Sequence, residues 1–399
     1  MIVEEVFVMF MGENLTNIRF IHGLTRKQLG AKLGVTEQAI WQYENNFVSP
    51  KMEMVIKMKQ LFNVKNKYFY KEDFIRQQKS DAVDINNIAY RSSTINSVQK
   101  TQFEAVHMEK LINVKNYVSR NVRFPENELI NLRNDVIGFL HNESNRQNAV
   151  LKAAEYARDF LGLKIENNEN LLFLLEKNGA FIFEKSFEDK VDAYSLWSEA
   201  NEPYIMLGNV KKSAVRRNFD LAHELGHLLM HYKVEFPMLD KKSFREYEHE
   251  ANLFAGAFLL PKDEFLSDIS EISKISHPDS YIELKEKWKV SIQAMAFRAH
   301  FLQYMTYQQY RYFNIKLNQL KYKEIEPLDQ SIPIWQPGKL RSIFKLVFEK
   351  EYVSLEELLD NMEVEILYLT KITGIESAFF EKYLKKTQTQ FTIQDLGIR

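Results

Sequence analysis

The chain has no cysteine, only 13 glycines and 9 prolines in 399 residues, and a formal net charge of −1. Without cysteine there are no disulfides, thiolate zinc sites or iron–sulfur clusters, and no cysteine nucleophile. Metal sites built from histidine and carboxylate stay open. Glycine well below the usual ~7% leaves few turn positions for the length, which favours long helices over many short strands. No segment reaches the ~18 consecutive apolar residues of a membrane span. The opening stretch from Met1 to Gly12 is apolar but short, lacks a basic leader and carries Glu4 and Glu5, so it does not read as a signal peptide. It reads as a short strand or as residue from an upstream start, with Met11 an equally sensible beginning. The expectation is a cytoplasmic protein with no membrane partner. Apolar residues at 45% suffice for a core, and the length suggests two or three domains.

The near-zero net charge hides a division. From Asn14 to Lys71 there are ten Lys/Arg and three Asp/Glu, a balance of +7, so the rest of the chain carries −8. A basic head is joined to an acidic body. Within the head, Leu15, Ile18 and Ile21 share one helical face. Gly23 breaks, Thr25 opens a helix with Leu29 and Leu33 four apart, and Gly34 stands at its end. Thr36 is a natural N-cap for T-E-Q-A-I-W-Q-Y-E, and Ser49-Pro50 opens a fourth helix with Met54, Met58 and Leu61 inward. Two short helices joined by a tight glycine turn describe a helix-turn-helix.

The stretch L-T-R-K-Q-L-G-A-K-L-G-V-T-E-Q-A-I-W-Q-Y-E-N-N-F-V-S-P resembles the XRE, or phage-repressor, type of DNA-binding domain. The resemblance implies a five-helix, lambda-repressor-like domain over residues 1–72 and a recognition helix from Thr36 to Asn45. Glu37, Gln38 and Gln42 are the candidates for base edges, with Thr36 at the head of the recognition helix also a DNA-binding candidate and Gln28 at the front of the preceding helix for phosphate or base. Glutamine reads adenine with two hydrogen bonds. Arg26, Lys27 and Lys51 are candidate phosphate contacts. Trp41 departs from the family, which often has a small polar residue there. The implied partner is double-stranded operator DNA, bound by a homodimer.

Residues 73–148 are polar and Asn-rich, with apolar residues at helical spacing from Phe103 to Val122, and read as a helical connector. Beyond it, Ala149 to Leu161 and Asn170 to Lys177 read as helices. Ala180 to Lys185, Val191 to Trp197 and Pro203 to Gly208 are short β-prone runs. A long helix follows, from near Ser213 to His231.

That helix contains H-E-L-G-H. On a helix, residues i and i+4 share a face, so His223 and His227 can grip one ion while Glu224 reaches a water on it. Four of the nine histidines fall between positions 223 and 249. With no cysteine, the third ligand must come from another group. The next helix, F-R-E-Y-E-H-E-A-N-L-F-A-G-A-F-L-L-P, buries Ala251, Phe254, Ala255 and Phe258, which puts Glu250 at the edge of the stripe. Glu248 and Glu246 are rivals, because the helix phase is not fixed by the sequence. His231 lies about 80° off the face of His223 and reads as helix-end structure or support for a ligand; His249 reads as surface.

From R-R-N-F-D-L-A-H-E-L-G-H through E-A-N-L-F-A-G-A-F-L-L-P, over residues 149–266, the chain resembles the ImmA/IrrE metallopeptidases. The resemblance implies a zincin-like domain with a small sheet and an HExxH helix, Zn2+ held by His223, His227 and Glu250, and Glu224 as general base in a gluzincin-like endopeptidase. Three protein ligands leave a position open, as catalysis needs.

Residues 267–399 read as a helical C-terminal region for sensing, dimerisation or packing. Tyr281 to Leu302 and E-P-L-D after Ile325 resemble segments of long regulators that carry both domains. V-S-I-Q-A-M-A-F-R-A also permits a second helix-turn-helix. The fold expected is mainly α (α+β). The expected function is a DNA-binding transcriptional regulator whose zinc endopeptidase cleaves a partner, a repressor or antitoxin-like protein, or the chain itself, in a phage or stress response. The alternative is a ligand-responsive transcription factor whose zincin domain senses or scaffolds.

Overall fold

A computed structural model describes residues 9–71, 89–90, 98–164, 167–185, 193–208 and 213–384. The apolar start, Met1 to Val8, lies outside them. The fold is mainly helical with one small sheet, as the residue patterns predict. Two compact units form: one from residues 1–80, 113–121 and 343–399, the other from 81–112 and 122–342.

The first unit opens with α1 (Gly12–Ile21), α2 (Arg26–Leu33), α3 (Glu37–Glu44) and α4 (Met52–Phe62), then a single 3-10 turn, Asn66–Phe69. Thr25 and Gln28 cap α2 reciprocally: the threonine hydroxyl accepts from the Gln28 N–H, and the glutamine amide oxygen accepts from the Thr25 N–H. Gly34 ends α2 at φ 75°, a left-handed position that costs glycine little. Thr36 then caps α3 through the Ala39 N–H. Gly30 allows the second helix to come close, since a β-carbon there would sit 2.7 Å from the Val35 carbonyl oxygen.

In the second unit, strand β1 (Ala89–Tyr90) precedes α5 (Val98–Ser119), the helix that the two units share. After it come α6 (Glu128–Asn142), α7 (Arg146–Phe160), α8 (Leu171–Lys177), β2 (Phe181–Glu184), β3 (Tyr194–Trp197) and β4 (Pro203–Leu207). The sheet order is β1-β3-β4-β2: β2 runs parallel to β4, and β3 is antiparallel to β4 and to β1. The three β-prone runs all contain strands, and β1 adds a fourth from the polar connector; Val191 and Asp192, at the start of the second run, lie outside the described residues.

The long helix α9 (Ala214–Met230) lies between caps Ser213 and His231, and α10 (Lys241–Leu259) follows it. They pack closely because the glycine of H-E-L-G-H is small: a β-carbon on Gly226 would sit 3.1 Å from the Phe254 ring. Phe254, Ala255 and Phe258 are fully buried, and burial of each phenylalanine side chain stabilises by ~1.5–3 kcal/mol. Below them, buried Asn168 ties the layers together, donating to the carbonyls of Leu259 and Trp288 and accepting from Arg158.

The unit continues through α11 (Lys262–Ser270), α12 (Ile282–Trp288), α13 (Ile292–Phe301) and α14 (Tyr307–Gln319). The α12–α13 pair has the shape of a helix-turn-helix, with left-handed Lys289 (φ 53°) and N-cap Ser291. Its charges are spent on the fold, however. Lys285 is buried on Glu326 and Asp329, the acids of the E-P-L-D segment, and Glu326 also accepts from the first N–H groups of α13. Buried Arg298 donates to the Leu260 carbonyl. Lys287 is likewise paired, with Asp268.

The last helices are α15 (Lys339–Glu349), α16 (Leu355–Met362), α17 (Ile366–Thr373) and α18 (Ser377–Glu381). Most of this segment belongs to the helix-turn-helix unit. Val364 forms an antiparallel bridge with Val64, Lys65 pairs with Asp360, and the rings of Tyr68 and Tyr368 lie 6.2 Å apart. One local turn serves both units: a left-handed residue, a valine, then an extended N-cap. It appears as Gly34-Val35-Thr36, Asn63-Val64-Lys65, Lys289-Val290-Ser291 and Glu363-Val364-Glu365. The turn alone therefore marks helix packing and not DNA reading.

Candidate metal centre and DNA-reading face

Both motif histidines point inward from α9 and are buried, as is Glu224. Their Nε2 atoms lie 3.1 Å apart. A carboxylate closes the triangle, but it is Glu248: its oxygens stand 3.2 Å from His227 Nε2 and 3.6 Å from His223 Nε2. These three side chains form a group able to hold one metal ion. Two imidazole nitrogens and a carboxylate, aimed at one point, fit a tetrahedral zinc site with one position left for water or substrate.

Glu250, the glutamate favoured by the sequence, is placed elsewhere. It makes two 2.7 Å hydrogen bonds with Arg146 of α7 and accepts from His231 Nε2 at 3.0 Å. The correction has a geometric reason. At about 100° per residue, the stripe Ala251/Phe254/Ala255/Phe258 has Glu248 at one edge and Glu250 at the other. Asn252 shares the edge of Glu248, and its Oδ1 meets His223 Nδ1 at 3.2 Å. The packing of α10 on α9 turns that edge toward the imidazoles. Glu246, the other rival, is exposed.

Each ligand candidate is held from behind. Asn252 meets the outer nitrogen of His223. His227 Nδ1 meets His231 Nδ1 at 3.0 Å, which extends the chain to Glu250 and Arg146. Supports of this kind fix ring orientation and tautomer. Burial pushes the His231 ring down to about 4, against the pull of Glu250, so it stays neutral. Burial opposes ionisation of Glu250 as well, yet the hydrogen bonds from Arg146 and His231 and the Arg146 charge hold its carboxyl at about 2. His249 is exposed, as its position suggested.

Glu224 stands beside the first histidine, and Ser195 of β3 donates a 2.8 Å hydrogen bond to its Oε2. Trp197, two residues on, donates from Nε1 to the Leu228 carbonyl at 2.8 Å, so β3 is stitched to α9 at two points. Sequence reasoning missed Ser195, Asn252 and Arg146. Ser195 had one visible sign, a small polar residue within the run Y-S-L-W. Arg146 had none, being 104 residues from its partner.

On the reading face, Glu37 and Gln38 are exposed and Gln42 is half-buried along α3. Lys27 and Lys51 are exposed. Other candidates already carry structural duties. The Gln28 amide oxygen serves the capping box, Thr36 caps α3, and Arg26 pairs with Glu44, which also binds buried Arg19. Trp41 stacks on exposed Phe47 with ring centres 5.1 Å apart, so it lies on the surface and not over the core.

Comparison with known families agrees with this division. Residues 175–300 match the family model described as IrrE N-terminal-like domain, Peptidase_M78, and residues 21–66 match a helix-turn-helix model. No curated protein matches the chain. Among the described residues, no helix is long and apolar enough to cross a membrane.

Proposed function

We infer that the joining of an XRE-type helix-turn-helix region to an IrrE/ImmA-like peptidase region makes this chain a regulator with a protease-like domain. We propose that it is a transcriptional regulator that binds operator DNA and carries a zinc-dependent endopeptidase whose substrate is a partner regulator. The observation that carries the peptidase reading is the convergence of His223, His227 and Glu248, with Glu224 alongside and fixed by Ser195.

His223, His227 and Glu248 would hold the metal, which when bound supplies Lewis acidity for a water and a scissile carbonyl. Glu224 takes a proton from the attacking water and passes it to the departing amine, a role worth ~10²–10⁴-fold in rate. The Ser195 hydroxyl holds one carboxylate oxygen and so sets which face Glu224 presents to the reacting atoms. Full burial of Glu224 keeps bulk solvent from competing for its proton. Asn252 and His231 hold the two imidazoles in register, so little reorganisation accompanies the reaction.

DNA binding would use Lys27 and Lys51 on phosphates and Gln38 and Gln42 on base edges. Glu37 borders that surface, while Arg26, Gln28 and Thr36 chiefly shape it. The test of the peptidase is Glu224→Gln in the full chain. Zinc content and operator affinity should match wild type, while cleavage of the partner in cells falls by at least ~10²-fold. Cleavage at the wild-type rate would remove Glu224 from the mechanism.

A further inference from the structure

β3 is the strand closest to the chemistry, because its Ser195 holds Glu224 and its Trp197 holds α9. One edge of β3 pairs with β4, Ser195 opposite Ile205. The other edge pairs with β1, antiparallel, with Ala89 opposite Ser195 and Tyr90 opposite Tyr194. β1 comes from the polar stretch before α5, not from the compact sequence of the peptidase core.

The sheet is also anchored further along the chain. Buried Glu104 of α5 forms an ion pair with Lys185, and its Oε2 accepts from the Tyr194 hydroxyl at 3.3 Å. This tie fixes α5 against β3 within the second unit.

An extended peptide is recognised most simply by adding a strand to a sheet edge, where main-chain hydrogen bonds give affinity without demanding a sequence. An edge that exposes its N–H and C=O groups is also a hazard that proteins cover. Among the described strands, the edge of β3 next to Glu224 is the one that would present a scissile peptide to the base, and the chain itself covers it. We propose that β1 is a competitor in cis: Ala89–Tyr90 occupies the place of the substrate backbone, and a substrate enters as an extended, unfolded segment that displaces it. The substrate class that follows is a protein region able to unfold locally, such as a terminus or long loop, and not a folded surface. The proposal rests on the peptidase reading, but its test needs no turnover.

The test uses full-length Glu224→Gln protein and fluorescein-labelled unfolded casein as the probe. Proline cannot donate to a ladder. In an antiparallel pair, one of two neighbouring residues points its N–H at the partner strand, so Ala89→Pro/Tyr90→Pro removes the donor whichever it is. The double substitution should tighten casein binding about fivefold, the worth of one net hydrogen bond. In the chain without the proline changes, saturating casein should speed amide exchange at Ala89 and Tyr90 while residues 194–197 stay protected. Equal affinity in the two chains, no binding to either, or unchanged exchange at residues 89–90 would overturn the competitor. Failure of the wild-type chain to cleave any protein partner would instead remove the peptidase reading, so the two failures are distinguishable.

Discussion

The α9–α10 pair and the α2–α3 pair are both two-helix motifs with strong sequence patterns, yet their functional residues sit in opposite surroundings. At α9–α10 the acting groups are buried and each is held by a neighbour: His223 by Asn252, His227 by His231, Glu224 by Ser195. At α2–α3 the groups proposed to read bases project from the surface, and burial is reserved for the groups that shape the motif, Arg19 and Glu44. A catalytic site must hold its geometry before the substrate arrives, whereas a reading face is completed by its DNA. Packing therefore discriminates among candidates in the first region. In the second it reveals only which side chains are already committed.

The largest effect that would sharpen this contrast concerns a residue with no reading role. Arg19→Ala leaves buried Glu44 with only the half-exposed Arg26 as its ion-pair partner, and removing one partner of a buried pair typically costs up to ~3–5 kcal/mol. Urea denaturation should show that loss, whereas Lys51→Ala should leave stability unchanged within ~0.5 kcal/mol. Equal stability of Arg19→Ala and wild type would break the division between shaping and reading residues.

Next in size is the support behind His227. His231→Ala should weaken zinc binding by ~10–100-fold, measured by competition with a chromogenic chelator. His231→Gln, which keeps a hydrogen-bonding end, should recover part of the loss. Unchanged zinc affinity in folded His231→Ala would remove His231 from the support of the site.

The reading face predicts a smaller, graded effect. For the pair Lys27→Ala/Lys51→Ala, the slope of log affinity against log salt should fall by ~0.9 for each phosphate contact removed. Arg26→Ala should change the melting temperature more than the slope, since its guanidinium is paired with Glu44.

A further effect is one of pH. Burial, with the charges of Lys371 and Lys32, pushes His22 down to about 3 from the ordinary histidine value of 6.5. Its folded value is depressed, so the unfolded chain binds more protons between pH 3 and 6.5. Stability of this unit should fall as pH drops through that window, by up to ~1.4 kcal/mol per pH unit from this group. His22→Gln should flatten that dependence in chemical denaturation, and an unchanged slope would remove the histidine as its source.

Much of this organisation was legible because its causes are local. Thr25, Gly34 and Thr36 set helix ends through their own caps and dihedral angles, and H-E-L-G-H places two imidazoles on one face by helical period alone. The choice of third carboxylate was not local. Glu248 and Glu250 flank one apolar stripe symmetrically, and only the contact between α10 and α9 separates them. The commitment of Arg26 to Glu44 depends in the same way on how α2 meets α3, 18 residues apart. The partnership of Val64 with Val364 depends on a chain reversal that no spacing announces.

The most direct test of the metal centre is zinc content measured side by side in Glu248→Gln and Glu250→Gln, purified as full-length proteins and dialysed against the same chelator. Loss of a direct ligand should leave Glu248→Gln without stoichiometric zinc, while Glu250→Gln keeps it with affinity reduced ~10–100-fold. Retention of tight zinc by Glu248→Gln together with its loss in Glu250→Gln would contradict the assignment and return the third ligand to Glu250.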